Sequence, residues 1–397
     1  MSKLEASLAG ELAQLQAQGL ARSIKDLRFV NAATAVDATG KEYVVFASNN
    51  YLGLTHAPEV IAAAQEATRY GTGSGGSRLT TGGHFEVREL ETALAEFKHT
   101  ESALVFNTGY MTNLGVLYAL VRPGDVVFSD ALNHASIIDG CRIARAQVRI
   151  YPHGDMAALE QLLAAEHTTG FRYLVTDGVF SMDGDIAPLP ELVALAAQYE
   201  ACLIVDDAHA VGVIGTDGSG TAAFYGLQGQ VDLQVGTLSK ALAAEGGYVA
   251  GKKVFIDYLI NKSRPFIFST ALSPAPVAAA RAALELLQTK PREYLDKLWF
   301  NAKLMRKLLV AGGLEVIPGE TPIIPIMVGS AALTTVFADR LAAQGILVSG
   351  IRPPTVPQGA SRLRLTVTAA HSEAQLRRAA KLVLSVWQEL TGKKEEQ

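Results

Sequence analysis

Cysteine is scarce in this chain. Cys141 and Cys202 are the only two among 397 residues, too few for a disulfide framework and in no metal-binding spacing, so a reducing compartment and no metal site are expected. A basic excess is missing too. Lys and Arg number 35 against 39 Asp and Glu, a net charge of −4, which leaves no positive field for nucleic acid or an anionic membrane. No hydrophobic run approaches the roughly 20 apolar residues of a membrane span. Residues 3–20 set Leu4, Leu8, Leu12 and Leu15 on one helical face and interrupt it with Glu5 and Glu11, the pattern of an amphipathic helix rather than a signal peptide. The expectation is a cytoplasmic protein that meets anionic ligands locally.

What the chain does have is apolar bulk, 49% of its residues, enough for a large core and two domains. After a first strand at 42–47, helices are expected at 58–70 and 85–98. Short apolar runs at 103–106, 125–129, 146–151, 173–176, 203–205 and 233–235 then alternate with helical patterns. Such alternation predicts an α/β domain with a mainly parallel sheet flanked by helices. Beyond residue 274 come long helices at 275–288 and 294–309, strands at 323–328, 346–348 and 363–367, and a helix at 373–390. That order suggests a smaller α+β C-terminal domain, to which the N-terminal helix returns. We place the divisions at an N-terminal helix and arm (1–45), a large domain (46–285) and a small domain (286–397), with a disordered tail at 393–397.

One glycine-rich stretch, Gly71-Thr72-Gly73-Ser74-Gly75-Gly76-Ser77-Arg78, imitates a dinucleotide fingerprint, with Glu91 as its ribose acid. That fingerprint must follow a strand and open a helix. This one follows a helix, so a nicotinamide cofactor is not expected.

Four polar clusters sit at strand ends: Thr108-Gly109-Tyr110, Asn133-His134-Ala135-Ser136, Asp206-Asp207-Ala208-His209, and Thr237-Leu238-Ser239-Lys240. Each alone has a plain structural use, such as Thr108 or Asp206 capping a helix. Together they suit pyridoxal 5′-phosphate, which needs a Schiff-base lysine and an acid for its ring nitrogen. Lys240 would hold the cofactor and act as base, and Asp206 would face the ring nitrogen. His134 would stack on the ring, while Ser181 or His209 would meet its phenolic oxygen. The phosphate would lie at the helix start Thr108-Gly109-Tyr110, with Thr237 adding a hydroxyl.

With Ser48-Asn49-Asn50-Tyr51-Leu52-Gly53-Leu54, Gly73-Ser74-Gly75-Gly76-Ser77-Arg78 and Asp177-Gly178-Val179-Phe180-Ser181-Met182-Asp183-Gly184-Asp185, these motifs resemble the α-oxoamine synthases. Those are fold-type I pyridoxal phosphate transferases of the aspartate aminotransferase type, which join an amino acid to an acyl-CoA with loss of carbon dioxide. The resemblance runs from about Leu20 to about His371. It implies that Arg364 binds the amino-acid carboxylate with Asn49 nearby, and that Arg352 and Arg22 lie near the acyl channel. It also implies that Ser269 and Thr270 reach the phosphate from the other subunit of a homodimer with shared active sites. The stretch Gly350 to Pro357 with Arg362 to Thr366 is similar to members that use L-alanine and a pimeloyl thioester such as pimeloyl-CoA. Ser129 to Gly140 and Lys262 to Ser269 also look like members that acetylate glycine, and Asp177 stands where the pimeloyl-specific members often have glutamate.

Overall fold

The computed structural model describes residues 1–392, so the expected tail at 393–397 lies outside the described residues. The chain forms two compact units, one of residues 49–298 and one that joins residues 1–48 to the C-terminal part from 299 onward.

The unit of residues 49–298 is built on a seven-stranded sheet. Its order is Ser102–Phe106, Gly247–Gly251, Leu233–Thr237, Ala201–Asp206, Arg172–Asp177, Val126–Asp130, Gln147–Tyr151. The last five of these pair in parallel. Gly247–Gly251 runs against both of its neighbours, so Ser102–Phe106 points the same way as the parallel set. Central strands of this kind carry apolar residues on both faces because helices cover both. Val126-Val127-Phe128 and Leu203-Ile204-Val205 are accordingly buried throughout. Phe106, Val116, Ile137 and Val235 belong to one core cluster, and Phe128, Leu174, Leu192 and Leu203 to another.

All six expected strands of the sheet are present, most of them one to three residues longer than their apolar cores. The seventh, Gly247–Gly251, was not expected. Its glycines at each end resemble a loop, yet every residue in it is buried. The helix expected at 58–70 is α-helical over Pro58–Ala67 and tightens to a 3-10 turn at Thr68–Tyr70. The glycine-rich segment before Arg78 is a set of turns, and Glu91 is engaged elsewhere. Its carboxylate takes a two-pronged bond from Arg78 (2.8 and 3.0 Å) and the Val105 N–H (3.0 Å).

The other unit holds two small sheets. Leu27–Asn31, Thr34–Asp37, Glu42–Val45 and Ile346–Leu347 form one, and Ile323–Gly329, Ser361–Thr366 and Ser349–Ile351 the other. The hairpin of Leu27–Asn31 with Thr34–Asp37 escaped the sequence reading because its turn, Ala32-Ala33, has neither Gly nor Pro. Asn31 supplies the turn instead, its Oδ1 accepting from the Ala33 N–H at 3.0 Å. The N-terminal helix, Lys3–Ala17, begins with a Ser2–Glu5 capping box but ends three residues earlier than expected. Its four leucines are exposed and none of its residues is buried. Phe46, Ile324, Phe337, Leu363, Leu376 and Val383 are central to this unit's core. Among the described residues no helix is long and apolar enough to cross a membrane.

Inside that core His371 stacks on Phe46 with ring centroids 4.2 Å apart, and burial pushes its pKa down to about 4. A histidine that must be neutral when folded contributes stability above its ordinary pKa, and that contribution is lost as pH falls through the folded value. The difference, 6.5 to about 4, corresponds to at most about 3 kcal/mol. In urea titrations at several pH values the unfolding free energy should therefore decline between about pH 6.5 and 4, and His371→Gln should flatten that segment. An equally steep decline in the variant would refute the assignment.

Candidate active site

Parallel strands deliver their carboxyl ends to one edge, where ligands of open α/β sheets collect. Ser102–Phe106 leads to Thr108, Val126–Asp130 to His134, Arg172–Asp177 ends on Asp177, Ala201–Asp206 on Asp206, and Leu233–Thr237 leads to Lys240. These residues line one cavity of about 230 Å³, together with Gly109, Tyr110, Asn113, Ser136, Ser181 and His209. The four clusters expected to converge therefore do so.

Asp206 is the buried anion of this cavity, 6% exposed. Its Oδ2 accepts from Asn113 Nδ2 at 2.6 Å and its Oδ1 from the Ala208 N–H at 2.9 Å. Asn113 was not foreseen as a site residue, although an asparagine inside the largely apolar helix Gly109–Leu120 is itself a signal. Its amide also donates to Ser136 Oγ (2.8 Å), which lies 2.7 Å from His134 Nδ1. The His134 backbone N–H donates to Asp177 Oδ2 at 3.1 Å, and the ring meets Tyr110 edge-on. Desolvation lowers the His134 pKa, Asp206 opposes that shift and Lys240 adds to it. Asp177 is held well above the usual carboxylate range by burial and by Asp206, with Lys240 acting the other way.

Lys240 Nζ lies 2.8 Å from His209 Nε2, and His209 Nδ1 lies 2.7 Å from Tyr51 Oη. The imidazole thus links the amine to the phenol through its two nitrogens. Thr108 does cap its helix, accepting from the Met111 N–H at 3.0 Å. That cap leaves the first-turn N–H groups of Gly109 and Tyr110 at the positive end of the helix dipole, a natural anion seat. Thr237 Oγ1, 2.7 Å from Ser239 Oγ, stands beside it. A Cβ at Gly109 would come within 3.3 Å of the Thr237 Cβ, so the close approach favours glycine. An amine, a buried carboxylate, a flat imidazole and an anion seat around one cavity suit pyridoxal phosphate.

Other expected residues lie elsewhere. Ser269 lines a separate small cleft with Arg78, Asn107 and Phe266, and the Thr270 carbonyl accepts from Asn107 Nδ2 at 2.8 Å. Neither borders the Lys240 cavity. Asn49 does not line it, and its carbonyl accepts from the Tyr51 N–H. In the other unit, Arg22 and Arg352 share a cavity of about 670 Å³, and Arg352 Nη1 reaches the Gly19 carbonyl and Thr335 Oγ1. Arg364 is 4% exposed and donates to Thr366 Oγ1 at 2.9 Å.

Two supports were also unforeseen, one half-buried and one buried. His153 bridges Asp130 Oδ1 (3.0 Å) and Asp185 Oδ2 (2.9 Å), and these hydrogen bonds raise its pKa to about 10. The imidazolium thus ties the loop that carries Ser181 to the strand that leads to His134. Lys98 pairs with Asp207 at 2.7 Å, both side chains out of solvent, and also donates to the Ser219 carbonyl. Thr221 Oγ1 donates to Asp207 as well, at 2.6 Å. The loop around them passes through Gly220 at φ +112°, where a Cβ would run into Asp207.

The aminotransferase class I and II family model matches residues 41–383. A curated 8-amino-7-oxononanoate synthase of Geobacter sulfurreducens is 51% identical over 97% of this chain and 98% of its own. A structure of SPT with PLP superposes with TM-score 0.92 at 32% identity, covering 98% of this chain and 99% of that one. The structure of 8-amino-7-oxononanoate synthase from Francisella tularensis gives TM-score 0.75 at 29% identity, over 87% and 98%.

Removing one partner of a buried pair strands the other charge. Lys98→Met should lower the unfolding free energy by about 3–5 kcal/mol, read by urea denaturation, whereas a loss below about 1 kcal/mol, the level of a surface pair, would contradict the pairing described.

Proposed function

The chain belongs to the aminotransferase class I and II family and, within it, to the α-oxoamine synthases, and from that membership we propose that it condenses L-alanine with pimeloyl-CoA. The products are 8-amino-7-oxononanoate, CoA and carbon dioxide, a step of biotin biosynthesis. The observation that carries the reading is the convergence of Lys240, Asp206 and His134 on one cavity at the strand edge. The 51% identical relative supports the choice of substrates.

When bound, pyridoxal phosphate supplies an electron-accepting ring that stabilises a carbanion at the amino-acid α-carbon. Lys240 would hold it through Nζ and, once displaced, move the α-proton. Asp206 would keep the ring nitrogen protonated, and Ser181 and His209 would hydrogen-bond the phenolic oxygen. Gly109, Tyr110 and Thr237 would seat the phosphate. His134 would flank the ring and polarise the ketone formed in the condensation. Arg364, whose planar fork suits a bidentate contact, takes the amino-acid carboxylate in this reading, with Asn49 assisting. Arg352 and Arg22 serve the acyl chain. Ser269 and Thr270, outside the cavity of their own chain, reach the phosphate of a second copy in a homodimer.

Asp177 favours a second reading, transfer of acetyl from acetyl-CoA to glycine, because the pimeloyl-specific members often carry glutamate there. Substrates that differ by one methyl separate by only about 1–3 kcal/mol, so the assay must compare both pairs. The purified holoenzyme should form 8-amino-7-oxononanoate from alanine and pimeloyl-CoA faster than 2-amino-3-ketobutyrate from glycine and acetyl-CoA. Lys240→Ala should reduce turnover at least about a thousandfold. Turnover of glycine and acetyl-CoA alone would move the assignment to the acetyltransferase, and an active Lys240→Ala protein would remove the lysine's role.

A further inference from the structure

The hydrogen bonds behind His134 run in one direction. Asp206 Oδ2 accepts, so the atom of Asn113 at 2.6 Å from it is the amide nitrogen rather than the oxygen. That nitrogen has two hydrogens. One goes to Asp206, and the second goes to Ser136 Oγ at 2.8 Å. Ser136 Oγ now accepts from Asn113, and its own hydrogen is free to point to the neighbour 2.7 Å away, His134 Nδ1. The Ser136 backbone N–H is also aimed at Nδ1, at 3.3 Å. The backbone N–H can only donate and the hydroxyl still has its hydrogen to give, so the pattern favours Nδ1 as the acceptor of both.

We infer that Asn113 and Ser136 are positioning residues that hold His134 as the neutral Nε2–H tautomer, leaving Nε2–H as the ring's donor toward an oxygen of the substrate. The inference rests on the proposed part of His134 in the reaction, but the tautomer itself is a property of the protein without substrate. The two donors are buried, Asn113 at 2% and Ser136 at 1% exposure, while the His134 ring they serve stands at the exposed end of the chain. Hydrogen bonds linked in series polarise one another, so each direction depends on the next. Asp206 and Lys240, the charges that act on the ring, pull its protonation in opposite directions. Their opposition leaves the hydrogen-bond pattern to set the tautomer. Asp206 thereby serves two ends, since the carboxylate that faces the cavity also orders the amide, the hydroxyl and the imidazole in sequence.

The test is ¹⁵N NMR of the full-length protein labelled at histidine, with His134→Asn to assign the signal and no substrate present. Nδ1 of His134 should show the unprotonated, pyridine-type shift and Nε2 the protonated, pyrrole-type shift. In Ser136→Ala, where only the longer N–H contact remains, the Nδ1–H form should become populated and kcat/KM should fall about tenfold, the worth of one hydrogen bond. A pyrrole-type Nδ1 in the unmodified protein, or an unchanged pattern in Ser136→Ala, would overturn the inference. Failure of the condensation assay with the expected tautomer intact would instead fault the proposed reaction.

Discussion

A carboxylate buried at a strand end has to be given donors or it will not stay charged. Asp206 is that carboxylate, and the surrounding residues are arranged around its need. Its own strand turns so that the Ala208 N–H bonds one oxygen, and the helix Gly109–Leu120 brings Asn113 to the other. The next residue, Asp207, just past the end of the strand, faces a different set of partners. Lys98 and Thr221 supply them. Two adjacent acids are thus kept apart in role, one directed to the cavity and one neutralised in the interior.

The same constraint reaches the groups around the cavity. Asp177, buried beside Asp206, is pushed toward its protonated form, because two carboxylates at such a site do not both ionise easily. His153 is pushed the other way. Lying between Asp130 and Asp185, it stays an imidazolium well above its ordinary range. By the linkage of charge to folding, its contribution is complete below its ordinary pKa and fades as pH rises toward 10. His371 in the other unit works in the opposite sense and weakens the protein in acid.

Much of this was legible in the sequence. Apolar runs of three to five residues leading to Asp206, Lys240 and the Thr108 and His134 clusters told both of a parallel sheet and of the edge at which chemistry gathers. Asn113, Ser136, Lys98 and His153 were harder. Their importance lies in which partner they meet across the fold, 23 residues away for Asn113 and Ser136 and up to 121 for Lys98 and the Ser219 carbonyl, and no local spacing encodes that. The strand Gly247–Gly251 was concealed for a different reason. Its glycines make room for close neighbours, as at Gly247, where a Cβ would strike Gly109 and Thr112. Propensity scores glycine as loop, whereas here tertiary packing demands it.

The central claim is that Lys240 holds the cofactor at the edge organised by Asp206. Borohydride reduction of the holoenzyme followed by peptide mass spectrometry tests it most directly. The account predicts a pyridoxyl group fixed to Lys240 and to no other lysine. A pyridoxyl group on a different lysine, in protein that retains full activity, would contradict it.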